Sequence, residues 1–381
     1  MKILQKLFTD NHMPVEALRE LAAIDPQLVL VFGSRDRFSA PDFHATLRRS
    51  LPGALLAGCT TAGEIAGDRV LNQACVVTAL HLAKTPLRSA SARIDTMAQS
   101  FAMGEQVGRQ LQSPDLRGVL LFCKGLEVNG SAVIRGMIAG IGETIPIMGG
   151  LAGDGESFQH TLVLDDDGVH KDGLVGIGLY GDAVRIGHGS QGGWVPFGPM
   201  RQVTRCQDNI LYELDGEPVL DLYKRYLGEY AKDLPGSGLL FPFEMLREDY
   251  SRTGLIRTIL GMDEATGSLV LAGEIDPNGH LRLMRASTDA LVDGAEQAAA
   301  ATRQMVGPCG AGLAILVSCV GRKLVMGDHV EEEVEVVQSA LPAGTVSTGF
   351  YSYGEISPCL DTSTCMLHNQ TMTVTFIAEE V

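Results

Sequence analysis

The chain has 381 residues, 45% of them apolar and 45 of them glycine, a mixture that builds loop-rich globular domains and rules out disorder as the main state. Lys and Arg number 30 against 46 Asp and Glu, a net charge of −16; that field repels phosphate backbones, so no nucleic-acid partner is expected. The longest apolar runs fall short of the ~20 residues that span a bilayer, and residues 1–10 lack a signal-peptide block. No membrane insertion and a cytoplasmic location are therefore expected.

In chain order, the first unit is a strand at 28–32, the turn Gly33-Ser34-Arg35, a helix, a strand at 54–56, and the end motif Gly58-Cys59-Thr60-Thr61-Ala62-Gly63-Glu64-Ile65. In its helix Ser39 and Asp42 have capping-box spacing, and Phe43, Leu47 and Leu51 share one face. The second unit has a strand at 118–122, then Cys123-Lys124-Gly125 and a helix capped by Asn129 with Val133, Ile134, Met137, Ile138 and Ile141 as its stripe. A strand at 145–148 leads to Gly149-Gly150-Leu151-Ala152-Gly153-Asp154. Antiparallel signals follow: 160–164 and 173–180 form a hairpin about Asp165-Asp166-Asp167-Gly168. Within 212–227, Asp215 and Pro218 open a helix with the stripe Val219, Leu222, Tyr223 and Tyr226. A loop is expected at Leu234-Pro235-Gly236-Ser237-Gly238, and strands near 256–259, 269–273 and 280–284. An Ala-rich helix at 287–305 starts at the cap Ser287. The third unit has a strand at 313–317, Ser318-Cys319, a helix with Val330, Val334, Val337 and Leu341, and the end motif Gly349-Phe350-Tyr351-Ser352-Tyr353-Gly354-Glu355-Ile356.

The first two units superpose at an offset of 90, which sets Ala62-Gly63-Glu64 on Ala152-Gly153-Asp154. The third matches at an offset of 291 after a small insertion. Such repetition is a fold signal, and each unit has the layout of a βαβ crossover. The expected fold class is α/β, a two-domain mixed-sheet sandwich of repeated strand–helix–strand units with antiparallel hairpins.

Each unit ends in glycine and then an acid, at the edge where open α/β sheets build ligand sites. Glu64 and Glu355, after Gly63 and Gly354, suit two readings equally, a carboxylate that orients a ligand's amine or a turn with an exposed acid; for Asp154 the turn is favoured. Gly176-Ile177-Gly178-Leu179-Tyr180-Gly181 has dinucleotide-loop spacing but lies within a strand, so the match is accidental. His12, His44, His160, His170 and His280 read as surface positions and His81 as a strand residue. His188, in Gly187-His188-Gly189-Ser190 just before Trp194, and His368 are candidate ligands, with a structural hydrogen bond as the commoner role. The eight cysteines contain no Cys-x-x-Cys and are expected as reduced thiols. Cys319, Cys359 and Cys365 make only an incomplete soft-metal set, and Cys319 reads as a small buried hydrophobe. No nucleophile–base pair is visible and no enzyme is expected; the enzymatic alternative has Cys59 as nucleophile, which needs a lowered thiol pKa.

The first end motif resembles the opening of the FIST N domain, and Trp194-Val195-Pro196-Phe197-Gly198, Val203-Thr204 and Leu211-Tyr212-Glu213-Leu214-Asp215-Gly216 resemble its close. Ser318-Cys319-Val320-Gly321-Arg322, the third end motif and Leu367-His368-Asn369-Gln370-Thr371 resemble the FIST C domain. The resemblance implies an N-terminal extension at 1–27, FIST N over 28–215 and FIST C over 216–381. It also implies a sensory module for small ligands and a similarity to the nitric-oxide-sensing haem proteins called NosP. Those act through a sensor histidine kinase or a cyclic-di-GMP enzyme (diguanylate cyclase or phosphodiesterase). On that reading haem is the cofactor, with His188 as its metal ligand and His368 as second candidate, and a homodimer is possible. The alternative is a haem-free amino-acid or metabolite sensor using Cys59, Gly63, Glu64, Asp154, Gly354 and Glu355.

Overall fold

The computed structural model describes residues 1–10, 13–234, 236–359 and 364–380; His12 and Pro235 lie outside them. Three mixed sheets share one plan. In the first, strands run in the order Lys2–Phe8, Cys75–His81, Leu28–Gly33, Leu55–Thr60, followed by the short hairpin Val163–Leu164 and Val169–His170. The second has Leu87–Arg93, Gly173–Tyr180, Leu116–Cys123, Ile147–Leu151, then Gly354–Pro358 and Cys365–His368. The third has Val184–Gln191, Met372–Glu379, Leu313–Cys319, Val346–Ser352, then Glu64–Ala66 and Arg69–Leu71. In each, the two central strands are parallel and every other pairing is antiparallel.

Each repeat is therefore longer than the strand–helix–strand unit read from sequence. It begins with an edge strand and ends with a return strand, and its hairpin completes the sheet of another repeat. The exchange is cyclic: the first repeat lends its hairpin to the third sheet, the third to the second, and the second to the first. Residues 2–8, expected as part of an extension, are the edge strand of the first sheet, paired with Cys75–His81. The turn at Asp165 to Gly168 forms as expected, but it joins 163–164 to 169–170, while Gly173–Tyr180 lies in the second sheet.

Alternation places Leu30, Phe32, Leu120, Phe122, Ile315, Val317 and Phe350 on inner faces in one shared core. There the rings of Phe32, Phe122 and Phe350 meet with centroids 5.4, 4.8 and 6.2 Å apart. Aromatic pairs of this kind add about 0.5–1.5 kcal/mol each beyond burial. Outward residues pack beneath helices: Val29 and Val31 with Leu18, Leu21, Phe43 and Leu47, and Leu121 and Leu316 with the helices of the other two repeats. Asn129 caps Gly130–Ile141 by accepting from the Ala132 N–H, and Ser287 caps Thr288–Val306 likewise. Ser39 makes no such cap; Asp42 precedes Phe43–Ser50 without a side-chain cap bond.

Backbone register fixes the repeats' alignment. Thr60, Leu151 and Tyr351 carbonyls accept from Gly153, Tyr353 and Ala62 N–H groups respectively, closing a ring among the three ends. These positions lie at offsets of 91 and 291 from the first repeat. The offset of 90 holds for the first strands only, so Asp154 corresponds to Gly63 and Gly354. The position matching Glu64 and Glu355 in the second repeat is Gly155, which carries no carboxylate. The small insertion in the third crossover is real: first strands are offset by 285 (Leu28 to Leu313), second strands by 291 (Leu55 to Val346). Both the first and third crossovers are divided into two helices, Arg35–Phe38 with Phe43–Ser50 and Val320–Met326 with Glu331–Ala340, and the helices of the third are the longer.

The same alignment explains one glycine per repeat. A Cβ on Gly58, Gly149 or Gly349 would lie 1.8, 2.0 or 1.9 Å from the carbonyl oxygen of Val31, Leu121 or Leu316. Backbone on both sides leaves no flexible atom to yield. Gly58→Ala and Gly349→Ala are each expected to cost about 3 kcal/mol or more, at the upper end of overpacking effects. A melting temperature unchanged in either variant would refute this.

Residues 195–285 form an inserted module between the edge strand and first helix of the third repeat. Its sheet contains Val195–Gln207, Ile210–Leu214, Phe243–Leu246, Arg252–Arg257, Ile259–Asp263, Ser268–Leu271 and His280–Arg285 around a separate core. The helix opened by Asp215 and Pro218 runs over Val219–Leu227 and buries Val219, Leu222 and Tyr223, while Ile210–Leu214 before it pairs as a strand and Asp215-Gly216 turns with positive φ. A boundary at 215/216 therefore falls on a hairpin turn within this module. His280, expected at the surface, is buried and its ring lies 4.3 Å from that of Tyr250. Among the described residues, no helix is long and apolar enough to cross a membrane.

Candidate functional site

The carboxyl ends of the parallel strands converge on a cavity of about 480 Å³. The first repeat contributes Ser34, Arg35, Thr61 to Glu64, Asn72 and Gln73; the second contributes 154–157; the third contributes Val320, Lys323 and Leu324. Strand ends of this kind leave backbone groups and turn side chains facing a crevice, the usual place for a ligand in an α/β sheet.

Lys323 is the centre of the arrangement. Helix Val320–Met326 carries its ammonium across to the first repeat, where Nζ donates to the Ala62 carbonyl at 2.7 Å and to Asn72 Oδ1. Gly63 has φ +144, and a Cβ there would stand 2.6 Å from Nζ, so glycine is what admits the lysine. Burial holds Lys323 below the usual lysine range, with Glu64 and Glu156 pulling the other way. By strand register the matching positions in the other repeats are Phe38 and Val128, so the cation is supplied at one of three junctions only.

Glu64 and Glu355 are built alike. The Thr61 hydroxyl donates to Glu64 Oε1 at 2.5 Å and the Ala74 N–H to Oε2 at 3.0 Å. The Ser352 hydroxyl donates to Glu355 Oε1 at 2.7 Å, and the Thr371 N–H and hydroxyl donate to Oε2 at 3.1 and 2.9 Å. Each carboxyl thus staples its turn to the opening of the return strand. Burial pushes Glu64 up to about 7 and Glu355 up to about 8, against their hydrogen bonds. Glu64 borders the cavity; Glu355 is enclosed, opposite His368 in the strand pair. Gly354 packs on Leu151 and Leu367 rather than on open space.

Asp154 reaches the cavity from the second repeat. It is held by the Tyr353 hydroxyl and by the N–H groups of Gln159 and His160 at 2.9 and 2.8 Å. Phe158 stacks on Tyr353 at 4.3 Å. The structure therefore brings Gly63, Glu64 and Asp154 together and leaves Gly354 and Glu355 apart. Cys59 lies in the central core beside Phe32, and burial, with Cys123 adding, drives its thiol well above the ordinary range. That is opposite to the lowered pKa a thiolate nucleophile needs.

His188 is on the edge strand Val184–Gln191. Its Nδ1 is buried without a partner, and burial lowers the imidazole to about 4. It does not line the cavity above, and its neighbours Gly187 and Gly189 are pressed against helix Thr288–Val306. His368 Nε2 is bonded to the Ser357 carbonyl at 3.0 Å, at the wall of a separate cavity. Among the described residues no group of three His, Cys, Asp or Glu side chains is placed to hold a metal ion, the set Cys319, Cys359 and Cys365 included.

Lys323, Arg35, Tyr353 and the pair Asn72-Gln73 escaped the sequence reading. One signal for the last was present: Asn72-Gln73-Ala74 and Asn369-Gln370-Thr371 are equivalent, both opening return strands, with both glutamines at positive φ (59° and 64°).

Residues 27–217 match the FIST N domain and residues 220–358 the FIST C domain. An uncharacterized protein of Methanocaldococcus jannaschii is 38% identical over 93 residues, a match that covers 23% of this chain and only 17% of that relative. A crystal structure of a cyanuric acid hydrolase from A. caulinodans aligns with 100% of this chain and 99% of its own, at 10% identity and a TM-score of 0.37.

Proposed function

The chain belongs to the FIST family, and from that premise we propose that it is a non-catalytic sensor whose ligand is a small amino-carboxylate such as an amino acid, bound in the cavity under Lys323. FIST domains are sensory, signal-transduction domains for small ligands. The observation that carries the narrower reading is the Lys323 ammonium, reaching from the third repeat over the Gly63 turn into a cavity walled by all three repeats. Arg35 and Lys323 suit a carboxylate, while the exposed Glu156 suits an ammonium. Such a ligand would contact groups from three repeats at once. Its differential affinity for two arrangements of those repeats is what converts occupancy into a signal. Output through a separate histidine kinase or cyclic-di-GMP enzyme belongs to the same proposal.

A haem reading has the unpartnered Nδ1 of His188 in its favour. The residues present do not fit the group: His188 borders neither main cavity, and His368 Nε2 is committed to a backbone carbonyl.

A thermal-shift screen of amino acids, followed by calorimetry on any hit, tests the proposal. A saturating ligand at about 100 times its Kd adds about 2.7 kcal/mol of stability, a rise of several degrees. Lys323→Met is expected to weaken binding about tenfold or more (about 1.4 kcal/mol) while the protein stays folded. A saturable haem absorption band abolished in His188→Ala, with no amino acid stabilising the protein, would overturn the reading.

A further inference from the structure

Between the third repeat and the inserted module lies a second cavity, of about 290 Å³. One wall is apolar, formed by Trp194 and Met284, both buried. The indole is fixed in place by donation from Nε1 to the Gln370 carbonyl at 2.8 Å. The other wall is polar. Glu244, buried in the module's sheet, accepts from Arg252 Nε on one oxygen and from Arg282 on the other. That pairing orients Arg252 and consumes only its Nε. Its two terminal nitrogens have no partner among the described residues, and its side chain is 66% exposed. Ser190, only 9% exposed, also lines this space, and its Oγ is buried with no hydrogen-bond partner. A buried hydroxyl left unpaired costs about 1–3 kcal/mol, a deficit that a ligand's polar atom removes.

We propose that this cavity is a second ligand site, specific for a small aromatic carboxylate whose ring lies against Trp194 and Met284 and whose carboxylate pairs with Arg252, Ser190 supplying a further hydrogen bond. A guanidinium with two free, adjacent N–H donors matches the planar fork of a carboxylate. Nearby Glu244 disfavours a dianion and is already neutralised by two arginines, so a monoanion is the better match. Because the cavity is walled by both the repeat body and the inserted module, occupancy would set the contact between them. This inference does not depend on the amino-carboxylate site.

Trp194 is the single tryptophan of the chain, so its fluorescence reports this cavity directly. Titration with phenylacetate is expected to change that fluorescence saturably. Arg252→Gln is expected to raise the apparent Kd about tenfold or more and Ser190→Ala about threefold. Phenylacetamide, which keeps the ring and loses the charge, is expected to bind about tenfold more weakly. Lys323→Met should leave the titration intact, which separates this site from the first. Because Arg252 is mostly exposed, its loss leaves the fold in place, and a melting curve checks that. No saturable change at millimolar phenylacetate, or equal affinity in wild type and Arg252→Gln, would overturn the proposal.

Discussion

Glu333→Leu is expected to lose about 3–5 kcal/mol of folding stability, the usual penalty for stranding a buried charge. Arg322 and Glu333 are both fully buried. The Arg322 guanidinium donates from Nε at 3.0 Å and Nη2 at 2.6 Å to Glu333 Oε2, and it also reaches the carbonyls of Gly192 and Leu291. The other carboxylate oxygen accepts from the Ser318 hydroxyl at 2.9 Å and the Tyr351 hydroxyl at 2.7 Å. Both central strands of the third sheet, helix Thr288–Val306 and the strand leading into the inserted module thus meet on one ion pair. Removing the carboxylate leaves a desolvated guanidinium and two unpaired hydroxyls. The double change Arg322→Met with Glu333→Leu should recover the part of the loss that comes from the stranded guanidinium, while the Ser318 and Tyr351 hydroxyls stay without the carboxylate. Urea denaturation of the wild type, both single variants and the double variant gives the coupling. A single Glu333→Leu within about 1 kcal/mol of wild type would mean that the network contributes nothing net.

The network also shows what could and could not be read from sequence. Apolar periodicity located the crossover helices and parallel strands, since Phe43, Leu47, Val334 and Val337 must be buried wherever the sheets lie. Periodicity is a local property, however, and the exchange of hairpins is not. Glu64–Ala66 and Arg69–Leu71 are short and join the third sheet, through pairing with Val346–Ser352 that no pattern within the first repeat implies. The slip from an offset of 90 to 91 changed which residue of the second repeat matches Glu64, because one inserted residue moves a whole turn. Arg322 was visible in its motif, but its partner Glu333 sits in an acidic run, Glu331-Glu332-Glu333, that reads as a solvated helix start. Lys323 gave no signal, since a lysine beside an apolar stripe is ordinarily a surface residue. Its significance depends on Gly63, 260 positions earlier, having no side chain.

Stability should fall as pH rises through the neutral range, and the two matched glutamates supply the slope. An ordinary glutamate titrates near 4.5, whereas burial pushes Glu64 to about 7 and Glu355 to about 8 in the folded chain. Between those values the native state keeps protons that the unfolded chain has released. Fewer protons on the unfolded state means that unfolding free energy decreases with pH. The contribution is fully present below about pH 4.5 and is lost as pH passes through 7 and 8. For Glu64 the swing is on the order of 3 kcal/mol, and for Glu355 somewhat more. Surface carboxylates paired with arginine act in the opposite sense at lower pH, so the informative quantity is the difference from a variant. Glutamine imitates the protonated acid at either site: its carbonyl can accept from Ala74 or Thr371, and its NH2 can donate to the Thr61 or Ser352 hydroxyl. Glu355→Gln should therefore match wild type near pH 5 and exceed it near pH 8, with Glu64→Gln doing the same to a smaller extent. A nearby cation favours the ionised form at both sites, Lys323 at Glu64 and Arg322 at Glu355, and the deeper burial of Glu355 gives it the larger effect. In the Lys323→Met background the pH at which Glu64 releases its proton should rise. Urea midpoints across pH 5 to 8 measure all three slopes. Parallel curves for wild type and Glu355→Gln would show that the buried carboxyl is ionised throughout and that its hydrogen bonds, rather than burial, set its titration.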